Sequence, residues 1–116
     1  MKKNIFILFF LLSVSSIQGQ LQDFEGIWVS NETEFLTSFV ITEKLNSVKG
    51  TTFSFSSDAK VNEDVYFFNN DSIKTICENK ANGYKVNVLY TLLNKNVMTA
   101  KITGDLDTNI KYVRMY

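Results

Sequence analysis

The chain has no histidine and no proline, one cysteine, one tryptophan and only five glycines. Each shortage excludes something. Without histidine there is no imidazole general base and no Ser–His or Cys–His pair. Zinc sites of mixed Cys and His type are excluded by count. The chain is therefore expected not to be an enzyme, and no cofactor is implied. Cys77 stands alone, so no internal disulfide forms. Its possible roles are a small buried apolar side chain, a reactive thiol or an intermolecular bridge. An excess of charge is also missing: twelve Lys and Arg stand against twelve Asp and Glu. Those charges are scattered, whereas a nucleic-acid surface needs clustered Lys and Arg. No nucleic-acid partner is expected.

Only one long hydrophobic run is present, and it sits at the start. Met1-Lys2-Lys3 is followed by the apolar stretch Ile5 to Leu12 and then by Ser13, Val14, Ser15 and Ser16. A basic start, an apolar centre and a small polar tail are the parts of a secretory signal peptide. The run is shorter than the roughly 20 residues a spanning helix needs, and a membrane anchor is the alternative. Cleavage is expected after Gly19, with Ser16 as a second position, and no cysteine stands there to take a lipid. This division predicts a signal peptide over residues 1–19 and one domain over residues 20–116, exported to the periplasm or the medium. The domain is expected to have no membrane span and a modest core, because small domains bury a limited share of their surface.

Residues 20–116 read as β throughout. Val, Ile, Thr, Phe and Tyr recur in short runs separated by Asn, Asp, Ser and Gly. Eight strands are expected, at 24–30, 35–43, 48–56, 61–68, 72–78, 84–93, 97–103 and 109–116. Phe35, Thr37, Phe39 and Ile41 share a face, as do Phe53 and Phe55. Tyr84, Val86, Val88, Tyr90 and Leu92 alternate with Lys85, Asn87 and Thr91; Met98, Ala100 and Ile102 alternate with Thr99, Lys101 and Thr103. Period two of this kind argues against helix. Asp58 to Asp64 is the one stretch compatible with a helical turn. In the fourth run, Tyr66-Phe67-Phe68 is apolar on both faces and breaks the alternation. The separators are short, and Asn82-Gly83 favours a tight hairpin. Short connections make neighbours in sequence neighbours in the sheet. The expected fold is all-β: an eight-stranded antiparallel up-and-down meander that closes into a barrel and removes its edges. An open β-sandwich is the alternative.

Phe24-Glu25-Gly26-Ile27-Trp28 opens the first strand, and Arg114 lies in the last, within Ile110-Lys111-Tyr112-Val113-Arg114. The Gly26-x-Trp28 pattern, the eight strands and the terminal arginine together resemble the lipocalin-like (calycin) superfamily. The resemblance implies that Trp28 packs at the closed end of the barrel, with Arg114 across its ring. Gly26, Trp28 and Arg114 would then be structural closure residues. It also implies a small apolar or amphipathic ligand within the barrel. The chain is shorter than a typical lipocalin, so a barrel filled by its own side chains, acting through its surface as an envelope or extracellular interaction protein, is the alternative.

The remaining chemistry is carboxylates and aromatics. Asp105-Leu106-Asp107-Thr108-Asn109 places oxygen side chains at alternate positions but lacks the glycine and distal glutamate of a calcium loop, so a solvated turn is expected. Glu63-Asp64 and Asp71 are expected to be exposed. No metal site is expected. Phe39, Phe55, Tyr84 and Tyr90 are the candidates to line a ligand cavity, since an apolar body with a polar tip suits that place. Which face of each strand points inward is left open by the sequence.

Overall fold

Alternation along the chain produces a sheet that is apolar on one face, and here that sheet curls until its two edges meet. In the computed structural model, which describes residues 20–30, 32–33, 35–42, 47–54 and 59–116, eight strands follow one another. They are β1 (Gly26–Ser30), β2 (Phe35–Thr42), β3 (Ser47–Ser54), β4 (Ala59–Phe68), β5 (Ser72–Asn79), β6 (Tyr84–Asn94), β7 (Val97–Gly104) and β8 (Thr108–Arg114). Each pairs antiparallel with the next, and β8 returns to pair with β1 through Trp28↔Arg114, Val29↔Val113 and Ser30↔Tyr112. The barrel is closed, which excludes the open sandwich. The expected signal peptide over residues 1–19 and the candidate Phe55 lie outside the described residues. Among the described residues no helix is long and apolar enough to cross a membrane.

One local expectation needs correction. The first strand does not begin at Phe24. Leu21–Phe24 form a single 3₁₀ turn, held by Asp23 N–H on the Gln20 carbonyl and by Gln20 N–H on Asp23 Oδ2 at 3.0 Å. A short acidic side chain three residues on satisfies backbone that a strand would have left unpaired. The stretch compatible with a helical turn is strand instead. Residues 59–64 carry no helical turn but begin β4, because Val61, Glu63 and Val65 alternate inward.

The irregular Tyr66-Phe67-Phe68 has a physical cause. Between β4 and β5 the register slips, so that Val65 faces Thr75 and Phe67 faces Lys74. The extra residue, Tyr66, reverses the parity of the strand. Val65 and Phe68 therefore both pack on the core, while Tyr66 and Phe67 are exposed. Lys74 Nζ lies 5.0 Å from the Phe67 ring centre on the outer surface.

One end of the barrel is plugged. The 3₁₀ turn drives Phe24 into the interior above Trp28, and both are fully buried. Trp28 Nε1 donates to the Phe24 carbonyl at 2.9 Å, so the only tryptophan fastens the plug to β1. The Arg114 guanidinium carbon lies 4.4 Å from the Trp28 ring centre. Its Nε donates to the Lys95 carbonyl and its Nη1 to the Glu25 carbonyl, each at 2.7 Å, and its Nη2 donates to the Asp23 carbonyl. A single side chain thus joins the last strand, the β6–β7 turn and the lead into β1. Gly26 makes this possible. Its φ is +135°, and a Cβ there would run into the Tyr116 carbonyl and the Arg114 guanidinium.

Candidate functional site: a cavity around a buried carboxylate

From the plug, aromatic rings lead inward. Phe24 meets Phe39 edge-on at 5.8 Å, Phe39 meets Tyr90 edge-on at 4.9 Å, and Tyr90 lies 6.4 Å from Tyr112. Beyond Tyr90 the packing stops. A cavity of about 180 Å³ extends from there toward the far end of the barrel, where Tyr84 and Leu106 contribute to its wall. Its sides are Val61 of β4, Val86 and Val88 of β6, and Ala100 and Ile102 of β7. These residues reach one space because inward positions on successive antiparallel strands stand side by side, as in the pairs Val88↔Ile102 and Tyr90↔Ala100.

One group on the wall is not apolar. Glu63 is 6% exposed, which corrects the expectation that it faces solvent; Asp64, next along β4, does. The reason is parity, since Glu63 shares its face with Val61 and Val65. Burying a carboxylate is costly unless donors replace water, and here they do. Tyr90 Oη donates to Glu63 Oε1 at 2.6 Å, Thr75 Oγ1 at 2.8 Å and Cys77 Sγ at 3.2 Å. Oε2 receives Thr52 Oγ1 at 3.0 Å. Thr37 Oγ1 extends the network, 2.8 Å from Thr52 Oγ1 and 3.3 Å from Tyr112 Oη. Among the described residues every buried side-chain nitrogen and oxygen has a partner.

Room for the carboxylate comes from Gly50, which pairs with Phe39 on one side and Glu63 on the other. A Cβ at Gly50 would lie 3.0 Å from Phe39 Cε1 and 3.3 Å from Glu63 Oε2. The missing side chain lets a large ring and a carboxylate sit on adjacent strands at one level.

The ionisable hydroxyl and thiol groups of the network are held in their neutral forms. Burial, then the Glu63 charge, push Tyr90 well above the usual tyrosine value of 10.0. Burial raises Tyr112 to about 12, against the opposing hydrogen bond with Thr37. Cys77 is raised above 9.0 by burial first and by Glu63 second. A thiol so shifted is a poor nucleophile at neutral pH.

Of the four aromatic candidates, Tyr84 and Tyr90 line the cavity. Phe39 does not line it; its ring is 1% exposed, packed between Phe24 and Tyr90. Phe55 lies outside the described residues. Glu63, Thr52, Thr75 and Cys77 were not foreseen as a group. The one legible signal was Val61-x-Glu63-x-Val65, an acid on an apolar face. Asp105 and Asp107 serve the turns instead, Asp105 accepting Lys85 N–H at 2.8 Å and Asp107 accepting Gly104 N–H at 3.3 Å.

Comparison with protein-family models, with curated proteins and with solved structures finds no match to this chain. The architecture, an eight-stranded antiparallel closed barrel, is compatible with a lipocalin-like fold.

Proposed function

We propose that the protein is an exported, lipocalin-like binding protein, not an enzyme, that holds a small apolar or amphipathic molecule inside its barrel. The observation that carries this reading is the apolar cavity of about 180 Å³ at the end of the barrel opposite the plug. An apolar cavity of about 150 Å³ holds benzene and stays dry when empty. This cavity therefore has the size for a ligand on the order of ten non-hydrogen atoms or fewer. Export rests on residues 1–19, whose pattern is that of a signal peptide; the secreted protein is expected to begin at Gln20 by intact mass.

The test is titration of methyl-labelled protein with benzene and n-propylbenzene, followed by NMR. Saturable shifts at Val86, Val88 and Ile102, with none at Ile41 or Val48 beside the plug, are expected. A barrel that acts only through its outer face is the second reading. It is favoured by Tyr66 and Phe67, 58% and 43% exposed at the β4 bulge. Cavity methyls that respond to neither compound, nor to a charged analogue of the same size, would decide for it.

A further inference from the structure

Among the described residues the wall of the cavity carries a carboxylate and no basic side chain. That imbalance restricts what can occupy it. Glu63 Oε1 already accepts three hydrogen bonds, from Thr75, Cys77 and Tyr90. Oε2 accepts one, from Thr52. Each carboxylate oxygen offers about two lone-pair directions, so the remaining acceptor capacity is on Oε2. The rings of Phe35, Tyr84, Tyr90 and Tyr112 line the same cavity, and ring faces attract cations. A carboxylate or phosphate ligand would instead place like charges together in a space of low dielectric, without an arginine or lysine in the wall to bridge them.

We propose that the molecule held in the barrel is a protonated amine on a compact aromatic or branched hydrocarbon body, its ammonium seated on Glu63 Oε2 beside Thr52 Oγ1. This rests on the reading of the cavity as a ligand site. An ammonium supplies three donors. One reaches Oε2, and a second has the Thr52 hydroxyl oxygen within reach as acceptor. The hydrocarbon body fills the space between Val86, Val88 and Ile102. Glu63 is already buried and held by neutral donors alone, so binding desolvates only the ammonium and gives the carboxylate an opposite charge.

Three probes of nearly equal size separate the possibilities: phenethylammonium, n-propylbenzene and phenylacetate. Binding is read by calorimetry and by the methyl signals of Val86, Val88 and Ile102 at pH 7. Phenethylammonium is expected to bind about tenfold or more tightly than n-propylbenzene, a difference of about 1.4 kcal/mol, and phenylacetate is expected not to bind. Glu63→Gln keeps an acceptor for Tyr90 and Thr75 while removing the charge; it is expected to reverse the order, with n-propylbenzene the better ligand. If n-propylbenzene binds the unaltered protein as well as phenethylammonium does, or better, the amine inference is overturned while the ligand site stands. If none of the three moves the cavity methyls, both fail. The probe series on the unaltered protein decides the matter even where Glu63→Gln does not fold.

Discussion

Replacing Trp28 and Arg114, singly and together, measures how the barrel is closed. Trp28 is fully buried, so Trp28→Ala removes a large core side chain and is expected to cost about 3–5 kcal/mol. Trp28→Phe keeps most of the ring volume but leaves the Phe24 carbonyl without its indole donor, a loss of about 1–3 kcal/mol. Arg114→Ala removes the cation over the ring, about 0.5–2 kcal/mol, together with its bonds to the carbonyls of Asp23, Glu25 and Lys95. Two of those bonds are exposed to solvent, which reduces their contribution. The total for Arg114→Ala is expected at about 2–3 kcal/mol, below the nominal sum for charged hydrogen bonds. The two losses share the stacking contact, so the double variant should fall short of their sum by about 0.5–2 kcal/mol.

The assay is urea unfolding followed by far-ultraviolet circular dichroism, because the Trp28 variants remove the only tryptophan. For a domain of this size each kcal/mol corresponds to a thermal shift of about 4–8 °C. Losses that add within about 0.3–0.5 kcal/mol would refute the stacking, and with it the reading of Arg114 as the group that joins the last strand to the first.

Further outcomes follow from the interior. Gly50→Ala brings a methyl to 3.0 Å from Phe39 Cε1 and 3.3 Å from Glu63 Oε2; overpacking of this kind should cost about 1–3 kcal/mol by thermal unfolding, and a neutral result would show that β3 yields there. Stability should decline with rising alkalinity. Cys77, Tyr90 and Tyr112 are all shifted upward in the folded chain, so the unfolded chain loses these protons first. Their contribution is complete well below pH 9.0, the ordinary cysteine value at which half of an unfolded thiol has ionised, and is lost progressively as the pH rises through 9 to 10 and above. Denaturant midpoints from pH 7 to 11 check this, and a midpoint that rises over that range would refute it. Native Cys77, partly buried on the cavity wall and with its thiol pushed up by burial and Glu63, should react with a thiol reagent at pH 8 more slowly than the unfolded chain does; equal rates would contradict its place against Glu63.

Much of the fold was legible because β periodicity is a local property. Val86, Val88, Tyr90 and Leu92 announce one face of a strand whatever that strand packs against. Boundaries differed where side chains or loops intervened: Phe24 left the first strand because Asp23 ties back to Gln20, and the bulge at Tyr66 was visible only as a broken pattern. The candidate site was far less legible. Tyr84 and Tyr90 do lie on the cavity wall, but Phe39 belongs to the column of rings behind the cavity. Glu63 read as an ordinary surface acid, since its donors come from β3, β5 and β6, at Thr52, Thr75, Cys77 and Tyr90.

By itself the sequence determined the alternation, the short turns, the number of strands and the absence of histidine chemistry. Those features restrict the chain to an antiparallel meander, because each strand can pair only with what lies a few residues away. Closure through Trp28 and Arg114 was expected from a resemblance, with an open sandwich as the alternative; tertiary structure alone decided between the two, and showed that packing stops beyond Tyr90 and that Glu63 faces inward. Closure and burial depend on curvature accumulated over eight strands, and a hydrogen bond between residues 63 and 90 leaves no trace in the local spacing of either.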